Sequence, residues 1–451
     1  MTDLIIIGAG PGGYETAVKA AKAGLQVTII EEKAVGGTCL NEGCIPTKCL
    51  YRNAEVLEDV RNAARYGIDT GTVSFDLTKA LVRKDETIAR LAEGIRILMK
   101  TPGITFMEGK ARFTGTHTVA VAKNDGTPVE IAAKNIIIAT GSATKFLPIE
   151  GAHGKGVVTS TELLSLTTLP RRLCIIGGGV IGMEFASIFN AFGSEVTVLE
   201  FCKEILPNFD RDMAKRLRTT LKKKGITFKT GAAVTGIAPQ ADGYEVTFEE
   251  KGKTGYIVTD LVLMAVGRKA NIDSLNLEET GIEFSARGIK VDEHMQTNIP
   301  GIYAIGDING LCQLAHAATF QGQRALNHIL GKEDHTRLDI MPAAVFTFPE
   351  AATVGQTEET LTEQGTAYTA HKAFYRANGK ALSMDAEEGL VKILAGTDGK
   401  ILGAHIVGHS ADVMIHEIAL LMNHEGTLEE LRHTVHAHPT LSELMLAAAE
   451  D

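Results

Sequence analysis

Residues 4–13 read Leu-Ile-Ile-Ile-Gly-Ala-Gly-Pro-Gly-Gly, and residues 173–182 read Leu-Cys-Ile-Ile-Gly-Gly-Gly-Val-Ile-Gly. Each is a short apolar run that opens into G-x-G-x-x-G: Gly8, Gly10 and Gly13 in the first, Gly177, Gly179 and Gly182 in the second. A segment of helical period follows each run and stops at a glycine, Gly24 or Gly193. A second apolar strand then closes on an acid, Glu31 or Glu200. The copies are in register: Gly8 to Gly24 and Gly177 to Gly193 both span 16 positions, and Gly8 to Glu31 and Gly177 to Glu200 both span 23. A single glycine fingerprint is weak, since any tightly packed βαβ unit could use it. The whole strand–loop–helix–strand–acid unit twice over predicts two dinucleotide-binding domains. The glycines let backbone approach a pyrophosphate, the helix N-terminus offers it N–H groups, and the acid accepts from ribose hydroxyls.

Working outward, residues 135–140 before Gly141, 261–266 before Gly267, and 302–305 before Gly306-Asp307 read as further strands. Residues 110–133 and 227–260 alternate in polarity and carry turn signals (Asn124-Asp125-Gly126, Asp242-Gly243), which predicts antiparallel meanders. Beyond about residue 336 the texture becomes α+β. Residues 346–348, 351–354 and 389–407 read as strands of an antiparallel sheet, and 413–422, 427–431 and 441–449 as amphipathic helices.

The composition narrows the function classes. The 451 residues include 44% hydrophobic and 22% charged, ordinary for a globular chain. Glycine is in excess, at 47 where about 7% usage would give about 32. The net charge of −10, with no long basic run, argues against nucleic acid as a partner. No apolar stretch reaches the ~18 residues of a membrane span, and no signal-peptide pattern precedes the first strand, so a cytoplasmic location is expected. Six cysteines are too few for a disulfide scaffold, yet Cys39, Cys44 and Cys49 fall within eleven residues.

That cluster lies in Gly36-Gly37-Thr38-Cys39-Leu40-Asn41-Glu42-Gly43-Cys44-Ile45-Pro46-Thr47-Lys48. On a straight helix, five residues rise about 7.5 Å, beyond the roughly 4.4–6.8 Å between the Cα atoms of a disulfide. The spacing permits a bridge only where the chain turns into a helix. Gly43 and Pro46 suit such a place, which would set Cys44 at the helix N-terminus, where thiolate is favoured. Lys48 adds positive charge one turn later. A zinc site lacks a second ligand pair, so no metal is expected, and two buried structural thiols remain the alternative. Cys49, Cys174, Cys202 and Cys312 read as inert. Near the C-terminus, His438 and Glu443 are five apart. By themselves they would pass for a surface pair, but a dithiol reacts only as thiolate and needs a base near neutral pH.

The cysteine segment resembles the redox-disulfide signature of the flavin-dependent pyridine nucleotide–disulfide oxidoreductases, and the resemblance runs along the whole chain in family order. It implies a redox disulfide between Cys39 and Cys44. It also implies an FAD site with Gly8, Gly10, Gly13, Glu31, Lys48, Thr140, Gly141 and Asp307, the last within a second flavin motif at 297–307. The NAD site would comprise Gly177, Gly179, Gly182, Glu184, Glu200 and Gly267, with Lys48 and Glu184 an ion pair beside the flavin. His438 would be the base and Glu443 its orienting carboxylate.

The implied fold is α/β: two Rossmann-like dinucleotide-binding domains and a C-terminal α+β dimerisation domain. The expected bounds are 1–145 for the FAD domain, 146–267 for the NAD domain, 268–335 for a central segment returning to the first, and 336–451 for the interface domain. Residues 199–207 and 436–443 are most similar to the dihydrolipoamide-oxidising branch of the family. That branch would oxidise protein-bound dihydrolipoyl-lysine on a lipoyl-bearing acyltransferase or carrier protein, as a homodimer using FAD and NAD⁺. A glutathione- or mercuric-reductase-like activity and a docking role in a multienzyme complex are the rivals. Two departures stand out: Glu42 where valine is common, and 314–322 without an acidic cluster.

Overall fold

The run Leu4-Ile5-Ile6-Ile7 is apolar on both faces because both faces are covered. In the computed structural model, which describes residues 2–124 and 126–451, it forms the strand Thr2–Ile7. Leu4 and Ile6 enter the core that includes Ala17, Val18 and Ala20 of the helix Pro11–Lys22, whereas Ile5 and Ile7 enter a second core with Phe113, Val119 and Val121. Residues 104–108, the strands Val27–Glu31 and Thr2–Ile7, residues 135–138 and the strand Ile302–Ala304 stand side by side, all parallel. The strand order reverses at Thr2–Ile7, and the crevice above such a switch point is where ligands of open α/β sheets bind.

The chain divides into two compact units. One holds residues 1–49, 81–145 and 268–338, including the sheet just described. Its antiparallel meander pairs Ile104–Gly115, Thr118–Lys123 and Pro128–Ile138. Of the turn expected at Asn124-Asp125-Gly126, Asp125 lies outside the described residues.

The other unit holds residues 50–80, 146–267 and 339–451. Its parallel sheet has the same plan: Thr227–Thr230, Glu195–Glu200, Arg172–Ile176, Leu261–Met264 and Val157–Val158, in that order. Its meander is Ala232–Gln240, Gly243–Glu250 and Lys253–Thr259. Residues 227–230 therefore belong to the parallel sheet, not to the meander the alternation suggested. The same unit carries a five-stranded antiparallel sheet, ordered Ala343–Val345, Ala351–Gly355, Ile401–Val407, Leu390–Gly396 and Tyr368–Phe374. The helices Ala411–Asn423, Leu428–Arg432 and Glu443–Glu450 share its core. The strand expected at 346–348 ends instead at Val345. The Phe346 N–H donates to Glu184 Oε1 (3.1 Å) and the Phe348 N–H to Ser187 Oγ (3.0 Å), so side chains of the helix Val180–Phe192 take the bonds a ladder would need. Among the described residues, no helix is long and apolar enough to cross a membrane.

One buried charge joins the two layers of this unit. Lys392, 1% exposed on the strand Leu390–Gly396, donates to Asp210 (2.8 Å), Asp212 (3.2 Å) and Glu358. Asp210 is fully buried and caps the helix Arg211–Lys223, accepting from the N–H groups of Asp212 and Met213. Lys372 binds Asp212 from the far side at 2.7 Å. Lys372 first, and Lys392 after it, holds the Asp212 carboxyl below the usual range against the opposing effect of burial. A depressed carboxyl contributes stability above its unfolded pKa and loses it as pH falls through the folded value. Removing one partner of a buried ionic group typically costs about 3–5 kcal/mol. Lys392→Met should therefore lower the melting temperature of the holoprotein at pH 7, with the deficit narrowing below pH 4 as the stranded carboxylates take up protons. Differential scanning calorimetry at the two pH values measures both effects, and equal melting at pH 7 would show the cluster to be neutral.

Candidate active site

The two glycine fingerprints have nearly the same stereochemistry. Gly8 and Gly177 have φ of +106° and +111°, and a Cβ there would lie 2.4 Å from Ala139 O and 2.3 Å from Ala265 O. A Cβ on Gly13 would stand 1.9 Å from Gly8 O, and one on Gly182 2.0 Å from Gly177 O. The first and third glycines thus let the helix press against the strand end. The middle ones differ: beside Gly179 nothing lies within 4 Å, and beside Gly10 the nearest atom is Gly37 Cα at 3.9 Å. These are open cradles at the N-caps of Pro11–Lys22 and Val180–Phe192, neither of which has a side-chain cap. Uncapped N–H groups at a helix start form an anion site.

The acids also match. Glu31 accepts from Ala9 N (2.7 Å) and Lys33 N (2.8 Å), while Glu200 accepts from Gly178 N and from Cys202 N (2.6 Å). Each carboxylate is fixed at the rim of its glycine loop by two backbone N–H groups. A carboxylate offers about four lone-pair sites, so acceptor capacity remains for a ribose. The residues present fit a dinucleotide in both places.

In the first unit, Cys39 lies on the short helix Gly37–Asn41, and Cys44 is the first residue of the helix Cys44–Asn62. The Gly36 N-cap is left-handed (φ 90°), which lets the chain fold back after the strand. The Cys39 and Cys44 thiols are hydrogen-bonded to each other. This bond, then burial, then negative charge at Cys44 pushes the Cys39 thiol far up, against the pull of Lys48. Cys44 stands at a helix start, a place that favours thiolate. The Tyr14 phenol is pushed up to about 12, by burial and then by Glu15 and Cys39, so a neutral hydroxyl borders the pair. Glu42 stands 3.9 Å from Lys33 in a partly exposed pairing. Cys174 is fully buried, and burial alone raises its thiol, so it stays inert.

Thr140, Gly141 and Asp307 meet in the same unit. Thr140 and Asn271 exchange two hydrogen bonds (3.2 and 3.0 Å), and Gly141 has φ +69°. Asp307 accepts from Ser142 Oγ and lies 3.8 Å from Arg268 Nε, while Arg268 donates twice to Ser142 at 2.6 Å. Sequence reading named Asp307 but missed Ser142 and Arg268. They lie 165 and 39 positions away, with no motif to mark them.

In the second unit, Glu184 is buried and accepts the Phe346 N–H, while Gly267 (φ +106°) faces open space. His438 is 81% exposed, with Nδ1 2.9 Å from Glu443 Oε1. Glu443 Oε2 accepts from Thr440 N at 2.7 Å. The Thr440 N–H first, and His438 second, holds the Glu443 carboxyl below its usual range. At neutral pH the ring is therefore held by a carboxylate, with Nε2 left to act. A second pairing that the spacing gave no sign of, His436 with Glu417 at 2.7 Å, packs the same segment onto the helix Ala411–Asn423. Among the described residues, no group of three or more His, Cys, Asp or Glu is set to hold a metal.

Comparison with known proteins shows the family. Residues 2–322 match the profile of the pyridine nucleotide-disulphide oxidoreductases, and residues 341–449 match that of their dimerisation domain. The chain is 39% identical to mitochondrial dihydrolipoyl dehydrogenase of Pisum sativum, over 99% of this chain and 90% of that one. It is 40% identical to dihydrolipoyl dehydrogenase of Bacillus subtilis, over 100% and 96%. Among solved structures, the HOCl-induced flavoprotein disulfide reductase of Escherichia coli superposes with a TM-score of 0.88 at 31% identity, over 99% of both chains. With paired thiols at a helix start and two dinucleotide cradles, the chain belongs to the pyridine nucleotide–disulphide oxidoreductases, flavoprotein enzymes that use a pyridine nucleotide, and it carries their dimerisation domain.

Proposed function

We propose that this protein is an NAD-dependent dihydrolipoamide dehydrogenase, which oxidises the dihydrolipoyl-lysine of an acyltransferase or carrier protein to lipoyl-lysine. The observation that carries the reading is the Cys39–Cys44 thiol pair at the start of the helix Cys44–Asn62. Full-length identity of about 40% to dihydrolipoyl dehydrogenases supports this substrate. A mercuric-reductase-like role would call for a cysteine pair near the C-terminus, and the last cysteine of the chain is Cys312.

The disulfide form is the starting state. One sulfur of the dithiol, its proton passed to His438 Nε2, attacks Cys39 Sγ, and Cys44 leaves as thiolate. His438 then returns that proton to Cys39 Sγ and takes the proton of the second sulfur, which displaces Cys39, closing the lipoyl disulfide and leaving both enzyme sulfurs reduced. Bound FAD supplies acceptance of the electron pair and its delivery as hydride to NAD⁺. The place of Cys44 at a helix start suits its leaving as thiolate. Glu443 fixes the ring tautomer and stabilises the imidazolium once it forms. The dimerisation domain carries His438, and in our reading each chain of a homodimer lends its His438 to the cysteines of its partner. Glu31 and Glu200 hold the two ribose groups. Glu200 is buried, and beside a 2′-phosphate it would be a like-charge clash, which favours NAD over NADP.

Three results test this reading. The purified protein should be yellow, with one FAD per chain, and partial reduction should give a long-wavelength absorption band that Cys44→Ser removes. A colourless protein that cannot be reconstituted with FAD would refute the flavin assignment, and a band that survives in the variant would refute the role of Cys44. Steady-state assays of dihydrolipoamide with each nucleotide should show a strong NAD⁺ preference that Glu200→Arg erodes or reverses. An unchanged ratio would place the ribose acid elsewhere. His438→Gln should slow dithiol oxidation by about 10²–10⁴-fold, the usual worth of a general base, while NADH-driven flavin reduction stays near wild type. Stopped-flow measurement of the two half-reactions separates these outcomes, and proportional loss of both would point to misfolding or flavin loss.

A further inference from the structure

The second unit contains a cavity of about 570 Å³ that plays no part in the chemistry above. It opens between the helix Arg211–Lys223 and the strands Tyr368–Phe374 and Leu390–Gly396. Five cations line it, Lys215, Arg216, Lys223, Lys372 and Arg376, against three acids, Asp212, Glu387 and Glu388. Two of the acids are already neutralised. Asp212 is held by Lys372 and Lys392, and Glu388 by Lys223 at 2.5 Å. Glu387 is left facing Lys215, Arg216 and Arg376, so the lining keeps a surplus of two positive charges.

The arginines are set for planar recognition. Arg216 and Arg376 both lie over the Phe374 ring, at 5.3 and 5.1 Å from its centroid, and this contact holds the guanidinium planes without using their N–H groups. Arg216 Nε is shut off from solvent and has no hydrogen-bond partner among the described residues. That atom is out of an anion's reach, but the Arg216 side chain lines the cavity and sets its charge beside any anion there. A guanidinium fork matches two oxygens of one phosphate.

We propose that this cavity binds a small phosphorylated molecule carrying a pyrophosphate group, with Arg216, Arg376 and Lys215 as its ligands. A pyrophosphate carries more negative charge than an orthophosphate, which suits a lining with two surplus cations, and the volume lies in the usual range of small-molecule sites, about 300–1,000 Å³. The site is distinct from both glycine cradles and does not depend on the proposed substrate. Its walls are the nucleotide-domain helix and the antiparallel sheet, so a ligand there would brace one against the other.

The test is calorimetric titration of the FAD-loaded protein, saturated with NAD⁺ so that the glycine cradles are filled. Pyrophosphate, ADP and orthophosphate are the three probes. Saturable binding of pyrophosphate, tighter than that of orthophosphate, is expected. ADP binding more tightly than pyrophosphate would identify the source as a nucleotide, and the reverse would identify free pyrophosphate. Arg216→Gln and Arg376→Gln should each weaken binding about tenfold or more, the usual worth of a charge-assisted hydrogen bond, with dithiol oxidation unchanged. Arg376 and Lys215 are exposed, so Arg376→Gln and Lys215→Gln keep the test decisive if Arg216→Gln fails to fold. Absence of saturable binding of pyrophosphate and ADP, or equal binding by wild type and the Lys215→Gln/Arg376→Gln double variant, would overturn the proposal.

Discussion

The closest backbone contact in each nucleotide cradle is the one between the first and third glycines, Gly8 with Gly13 and Gly177 with Gly182. No side chain can stand there, because its Cβ would fall about 2 Å from a carbonyl oxygen. That exclusion lets a helix start directly at the end of a strand, with its first N–H groups turned outward over the switch point of a parallel sheet. The middle glycine, facing open space, keeps that surface free. The acids at the ends of the second strands then need only two backbone hydrogen bonds each to stand at the rim. Two ligand sites of the same plan follow from one steric constraint used twice.

The paired thiols and the histidine–glutamate pair are held in different ways. Cys39 and Cys44 belong to the loop and helix that follow the first cradle, so their approach is local: a left-handed Gly36, a short helix, a break, and a second helix starting at Cys44. The hydrogen bond between them opposes ionisation of Cys39, and the helix start favours thiolate at Cys44. His438 owes its orientation to Glu443, and Glu443 in turn to the Thr440 N–H. A ring whose orientation depends on two hydrogen bonds in one short segment can sit on an exposed surface and still present a defined nitrogen.

The buried cluster around Lys392 has a structural role rather than a chemical one. It ties the cap of the helix Arg211–Lys223 to the strand Leu390–Gly396 of the antiparallel sheet. Nothing local in residues 210–212, 358 or 392 marks them as partners, since each is an ordinary charged residue until the layers meet. The same holds for Asp307 with Ser142 and Arg268, and for His436 with Glu417.

The sequence by itself determined the two βαβ units with their glycines and terminal acids, and it set Cys39 close to Cys44 and His438 close to Glu443. All of these are set by short-range spacing: a helical period, a tight turn, or two side chains five residues apart. Only the tertiary structure decided which strands lie side by side, that residues 227–230 join the parallel sheet, and that the backbone at Phe346 and Phe348 bonds to Glu184 and Ser187 instead of a neighbouring strand. It alone decided the partners of Asp307 and Lys392 and the cationic cavity around Phe374. Those features depend on groups brought together from dozens to hundreds of positions apart, and the energy of such contacts exists only once packing has removed the water between them.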